Sequence, residues 1–303
     1  MSTMGFALLS GAPELITRWA NDPEPRFKIS LAQWSLHRAL RSNALDHLDF
    51  ARKAAETFGI YAVEYVNQFF KDKANDSKYL AEMNTRAGDA GVYQNLIMVD
   101  GEGGLAEPND QIRQTAVENH YKWIDAAKVL GCRSVRVNAY GTSDNPKALH
   151  IAAVDGLGRL AEYAKPMQIN VIVENHGGFS SNGQWLSGVM KDILRPNCGT
   201  LPDFGNFCIV QGDGTMGHNS CYQEYDRYKG VEEMLPFAKA ISAKSYDFDD
   251  AGNETKIDFP RMMALIQKSN YHGYLGIEYE GDRLSEEDGI LATKRLLERL
   301  INS

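Results

Sequence analysis

Several apolar runs in this chain end in residues that can do chemistry. NVIVENHGG carries Glu174 and His176, LPDFGNF carries Asp203 and Asn206, and AISAKSYDFDD carries Ser242, Lys244 and Asp247. GIEYEGD adds Glu278 and Glu280, and SVRVNAYG adds Arg136 and Asn138. In an extended chain, residues two apart share a face. Glu174 therefore faces the same way as His176, Arg136 as Asn138, Ser242 as Lys244, and Glu278 as Glu280. Carboxylates, amides, an imidazole and an ammonium gathered at one place are costly unless something binds there. Three or four converging carboxylates repel one another, and a divalent cation resolves the conflict. Oxygen-rich ligation suits Mg²⁺ or Mn²⁺.

These segments must be positioned by a repeating framework. Strands are predicted at Lys28–Trp34, Ala62–Val66, Val92–Val99, Ser134–Asn138, Asn170–Glu174, Gly199–Asp203, Ala240–Ser245 and Tyr274–Tyr279. Several are nearly continuous apolar runs, as expected for strands covered on both faces. Helical patterns follow at Leu45–Phe58, Lys78–Ala90, Asp110–Leu130, Pro146–Lys165, Gln184–Leu194, Tyr222–Ala238, Phe259–Ser269 and Glu286–Leu300. Eight β-then-α units predict an α/β protein, a (β/α)8 TIM barrel, with residues 27–303 as one domain. Residues 1–26 form an N-terminal extension with helical character. A doubly wound dinucleotide fold would carry a GxGxxG turn after its first strand; the first strand here runs into AQWSLHRAL, which has no glycine. In a barrel, functional groups sit at the C-terminal strand ends, where all the polar residues above fall. Trp34 and Phe69 also fall at strand ends, where a ring can stack on a sugar.

Composition narrows the function. The chain has 303 residues, 43% hydrophobic and 24% charged, which is ordinary for a globular protein. With 32 basic against 40 acidic residues the formal charge is −8, a poor match for a phosphate backbone. No apolar run is long enough to span a membrane. The four cysteines, Cys132, Cys198, Cys208 and Cys221, contain no CxxC pair and read as buried or incidental thiols of a reducing compartment, which predicts a cytoplasmic protein; the alternative is two disulfides. The alternative is an exported chain whose leader has been trimmed, since MSTMGFALLSGAPEL lacks a basic leader region. There is no P-loop, GxSxG elbow, HExxH or zinc-type Cys/His cluster.

VENHGG, LPDFGNF, AKSYDFDD and YLGIEYEG together resemble the xylose-isomerase-like barrel superfamily, which includes sugar phosphate isomerases and epimerases, inosose dehydratases and endonuclease IV-like proteins. The resemblance runs from about Phe27 to Ile301. It implies a divalent metal held by Glu174, Asp203 and Glu278, with Glu280 competing for the last place. Where the family carries a histidine on the seventh strand, this chain has Ser242, and His176 is the alternative nitrogen ligand. The ions implied are Mn²⁺ or Mg²⁺, with Zn²⁺ or Co²⁺ as alternatives.

The activity implied is isomerisation or epimerisation of a ketose or keto-polyol through an enediolate, with Glu174 and Glu278 as the acid/base pair. Lys244 would hydrogen-bond the developing oxyanion. Asn138, His176, Asn206, Glu280 and Trp34 would contact substrate. The partner is then a small sugar, with neither nucleic acid nor membrane, and a homo-oligomer is compatible. The alternatives are dehydration or cleavage of a keto-sugar or cyclitol on the same site, and a non-catalytic carbohydrate-binding barrel. No phosphate cup is evident after Glu280, where Gly281, Asp282 and Arg283 follow, so a non-phosphorylated substrate is expected.

Overall fold

A computed structural model describes residues 25–211 and 221–303. The predicted N-terminal helical segment lies outside the described residues. Among the described residues there are ten strands: β1 Phe27–Ala32, β2 Ala62–Val66, β3 Tyr93–Met98, β4 Ser134–Val137, β5 Asn170–Glu174, β6 Cys198–Leu201, β7 Cys208–Gln211, β8 Cys221–Glu224, β9 Ile241–Ser245 and β10 Gly273–Tyr279. Eight of them form a parallel sheet in the order β6-β5-β4-β3-β2-β1-β10-β9. Parallel bridges between Thr200 and Ala238 and between Asp203 and Ser242 bring its two edges together, so the sheet closes as the predicted barrel.

The helices between the strands start and stop where the sequence provides caps. Asn109, Asn145 and Asn182 accept backbone N–H groups at the first turns of Asp110–Leu130, Pro146–Ala164 and Gly183–Ile193. Gly59 and Gly131 close Phe50–Phe58 and Asp110–Leu130 in the left-handed conformation that glycine adopts without penalty.

Two apolar cores result. The larger lies between strands and helices. The smaller fills the barrel and is built from Ala32, Val66, Leu96, Met98, Ile172, Leu201 and Ala240, with Trp34 and Phe69 packed against it. Alternation along the strands then fixes what lies above this plug. Two residues beyond Ile172, Leu201 and Ala240 come Glu174, Asp203 and Ser242, all buried at the C-terminal mouth.

Three expectations need correction. Strand β1 ends at Ala32, and Gln33–Leu36 turns into a 3-10 helix. The helix expected over Tyr222–Ala238 is divided: Cys221–Glu224 is a strand, and the helix is Arg227–Met234, begun by the Asp226 cap. The upstream part is strand because it pairs with β7 as an antiparallel hairpin, a partner that local periodicity does not reveal. Cys208 and Cys221 join the two strands of this hairpin as a disulfide, against the reading of all four cysteines as free thiols. A bond of this kind persists in oxidising surroundings. The hairpin is described only at its two ends, and residues 212–220 lie outside the described residues.

Candidate active site

Strands β5, β6, β9 and β10 deliver the central residues. Glu174, Asp203 and Glu278 each present a carboxylate oxygen, and these atoms lie within 4.8 Å of one another. All three side chains are buried. Ser242 pairs with Asp203 across the closing seam and has Gly276 of β10 as its neighbour on the other side. Its hydroxyl therefore lies between the two carboxylates, 2.6 Å from Asp203 Oδ2 and 3.0 Å from Glu278 Oε2. Asp203 is fixed further through its other oxygen, which accepts the backbone N–H groups of Gly205 and Asn206.

Two buried cations flank this group. Lys244, 2% exposed, places Nζ 3.3 Å from Glu278, 3.4 Å from Glu280, 3.7 Å from Asp203 and 3.1 Å from Asn206 Oδ1. Burial disfavours its charge, but Asp203, Glu278 and Glu280 outweigh that and raise its pKa well above the ordinary value. Lys244 is thus a fixed positive charge. Arg136 lies across the mouth, with Nε 2.8 Å from Glu174 Oε2 and Nη1 2.6 Å from Asp100 Oδ1. The first contact is an ion pair without hydrogen-bond alignment, and Glu174 Oε2 has no hydrogen-bond partner. The other Glu174 oxygen accepts from Asn206 Nδ2 at 2.9 Å.

The ionisation balance follows from burial and these partners. Desolvation pushes Glu174 upward against the pull of Arg136, and Glu278 adds repulsion. Desolvation likewise raises Asp203 against the pull of Lys244, with Glu174 and Glu278 adding to the rise. For Asp100, burial is overridden by Arg136, which holds its carboxyl well below the usual range. Asn138 donates to the same Asp100 oxygen at 2.8 Å.

The sequence-derived candidates occupy distinct places. Glu174, Asp203, Glu278, Lys244 and Asn206 come together in direct contact, and Glu280 joins through Lys244. Asn138 belongs to the neighbouring Asp100–Arg136 cluster. Trp34 stands at the barrel rim, with its ring 5.1 Å from His37, 6.1 Å from Phe69 and 4.8 Å from the Arg41 guanidinium. His176 is not part of the ligand-atom cluster. Its side chain is open to solvent, which limits the effect of desolvation. Desolvation nevertheless lowers its pKa, and repulsion by Arg136 and Lys244 adds to that.

Asp100 and Glu64 were not singled out from the sequence. Asp100 closes the third strand run, QNLIMVD, and its position at a strand end was the available signal. Glu64 sits inside AVEYV, where a lone carboxylate in an apolar strand was the signal. It is fully buried within the barrel, two residues below Val66. A bulge in β3 leaves Asn95 without a partner in β2 and allows its amide to reach Glu64 Oε1 at 3.0 Å. Ser30 donates to the same oxygen at 2.7 Å, while Oε2 has no partner. Burial raises the Glu64 pKa to about 7 despite these two hydrogen bonds.

Comparison with known proteins agrees with this architecture. A model of the xylose isomerase-like TIM barrel family matches residues 52–300. A stretch of 66 residues is 38% identical to the C-glycoside deglycosidase alpha subunit of Arthrobacter globiformis, covering 21% of this chain and only 19% of that relative. Among solved structures, D-psicose 3-epimerase from Clostridium cellulolyticum H10 with D-tagatose superposes with a TM-score of 0.67 at 11% identity, over 90% of this chain and 99% of that one. The IolI protein with a bound zinc atom gives a TM-score of 0.67 at 12% identity, over 91% and 98% of the two chains. At such identities these two likenesses speak for the fold alone. The eightfold parallel barrel and the family match across most of its length agree, and the chain belongs to the xylose isomerase-like TIM barrel family.

Proposed function

We propose that this protein is a sugar isomerase or epimerase that acts on a ketose or keto-polyol by removing and returning a proton beside the carbonyl. The observation that carries this reading is the convergence of Glu174, Asp203 and Glu278 at the barrel mouth, with potential ligand atoms within 4.8 Å. The site fits a divalent cation. The donors are hard oxygens, Glu174 Oε2 is buried without a hydrogen bond, and the carboxylates of Asp100, Glu174, Asp203, Glu278 and Glu280 share ion pairs with Arg136 and Lys244. Glu174, Asp203 and Glu278 would hold the ion, which supplies Lewis-acid polarisation of a carbonyl and its neighbouring hydroxyl.

The chain's own residues supply the proton chemistry. Glu174 and Glu278 come from β5 and β10 and reach the same space from different sides of Asp203. Burial and repulsion by the Glu278 carboxylate push the Glu174 pKa upward against the pull of Arg136, toward the range in which a carboxyl group can both take and give a proton. One of the two glutamates would take the proton from carbon, and the other would return one to the opposite face or to the neighbouring carbon. Lys244 remains charged throughout, so it stabilises developing negative charge and does not act as the base. Asn206 keeps Glu174 oriented. His176 and Asn138, at the solvent side, would hold substrate hydroxyls, and Trp34 would cover a sugar face.

A second reading is favoured by the similarity to a C-glycoside deglycosidase subunit. The same proton abstraction, followed by loss of a β-substituent, would make the enzyme a lyase on a keto-sugar. One experiment separates the two. The metal content of protein purified without chelator is measured, and the Mn²⁺-supplemented protein is then incubated in D₂O with D-fructose, D-psicose, D-tagatose and a keto-glycoside. Epimerisation leaves deuterium beside the carbonyl of an intact sugar, whereas the lyase releases an aglycone or water. Absence of deuterium uptake and of product from every substrate by metal-loaded protein would sink both readings.

A further inference from the structure

Ser242 offers neither charge nor a nitrogen or sulfur lone pair, yet its hydroxyl is placed within the carboxylate cluster. It stands between the strands carrying Asp203 and Glu278, and its Oγ is 2.6 Å and 3.0 Å from their oxygens. Its hydroxyl therefore touches two of the three groups that would hold an ion. We infer that Ser242 sets the metal preference of this site, making it an all-oxygen centre for a hard divalent cation at which Zn²⁺ has little advantage over Mn²⁺. The inference rests on the metal-bearing reading above.

Three observations support it. First, among the described residues no histidine or cysteine atom joins Glu174, Asp203 and Glu278, so no nitrogen or sulfur donor enters the cluster. Nitrogen and thiolate donors are what give Zn²⁺ most of its advantage in protein sites, whereas carboxylate and hydroxyl oxygens suit Mg²⁺ and Mn²⁺. Second, the Ser242 hydroxyl donates to Asp203 and Glu278, so it orients two ligands whether or not it binds the ion itself. Third, the Lys244 ammonium is 3.3 Å from Glu278 and 3.7 Å from Asp203. It already neutralises part of the charge a dication would meet, which would lower the affinity of the site for any of these ions.

Position 242 is then where a softer donor would change the choice of ion. Ser242→Cys adds a sulfur donor, whose larger atom must move the Asp203 and Glu278 oxygens outward from 2.6 Å and 3.0 Å, while Ser242→Ala removes the hydroxyl and controls for simple disturbance of the fold. The full chain is stripped with chelator, and Mn²⁺ and Zn²⁺ affinities are measured by competition with a chromophoric chelator. The wild type should show Kd values for the two ions within about tenfold, and Ser242→Cys should tighten Zn²⁺ by about a hundredfold or more with little change for Mn²⁺. Loaded with Co²⁺, Ser242→Cys should show a thiolate-to-cobalt charge-transfer band absent from the wild type and from Ser242→Ala. A wild type that prefers Zn²⁺ by more than about a hundredfold, or Co²⁺-loaded Ser242→Cys without that band, overturns the inference while leaving the metal-bearing reading intact. A wild type that takes up none of the three ions overturns both.

Discussion

Glu64 gives the sharpest test of the electrostatics inside the barrel. Its carboxyl is buried among strands, with one oxygen bonded to Ser30 and Asn95 and the other without a partner. Gly276 makes the space for it: a Cβ at that position would be 2.7 Å from Glu64 Oε2. Burial raises the pKa from 4.5 to about 7, so the folded protein holds this proton more tightly than the unfolded chain does. The stability linked to the bound proton is fully present below about pH 4.5 and is lost as the pH rises to about 7. At about 1.4 kcal/mol per pH unit, the whole effect is about 3 kcal/mol.

Glu64→Gln keeps an acceptor for Ser30 and Asn95 and has no proton to lose. Relative to wild type, the variant should therefore gain about 2.5 kcal/mol between pH 5 and pH 8, or on the order of 5 °C in Tm. Urea unfolding at both pH values, followed by circular dichroism, measures the difference directly. Any constant cost of placing an amide beside Gly276 cancels in that comparison. If the stability difference between the two proteins is the same at both pH values, Glu64 does not have a raised pKa, and desolvation does not control ionisation inside the barrel.

Three further outcomes follow from the same contacts. Lys244→Met leaves Asp203, Glu278 and Glu280 facing one another without their cation and should cost about 3–5 kcal/mol at pH 8, less at pH 5 where carboxylates accept protons; urea melts at both pH values read this. Asn182→Ala removes the side chain that accepts Trp185 N–H at the start of Gly183–Ile193 and should cost about 1 kcal/mol with no change in divalent-ion affinity, checked by denaturation and a metal titration. Reduction of Cys208–Cys221 should speed amide hydrogen exchange in β7 and β8 and leave the barrel strands protected, because the bond joins hairpin strands outside the barrel sheet; mass spectrometry of peptic fragments resolves the two regions.

Much of the framework was legible because it depends on local signals. Asn170–Glu174 and Asp110–Leu130 have the predicted bounds, the first as an apolar β-branched run and the second as a capped helical pattern. The rule that polar groups at strand ends face one mouth drew attention to Glu174, Asp203, Lys244 and Glu278 before any contact was known. Misreadings arose where the decisive partner is distant or irregular. Cys221–Glu224 is a strand only because Cys208–Gln211 pairs with it. The role of Asn95 depends on a bulge in β3 that no sequence period marks. Glu64 is a lone carboxylate in an apolar strand, and its burial is tolerable because Ser30, Asn95 and Gly276 arrive from three other strands.

The amino-acid sequence by itself determined the alternation of strand and helix, the helix caps, and which polar residues end which strands, since each depends on side chains a few residues apart. The tertiary structure alone decided that Ser242 bridges Asp203 and Glu278, that Arg136 pairs with Glu174 and Asp100, and that Lys244 meets three carboxylates at once. Those contacts join residues far apart in the chain. They exist because the register between neighbouring strands, and the seam where Asp203 meets Ser242, set which side chains stand at the same height in the barrel.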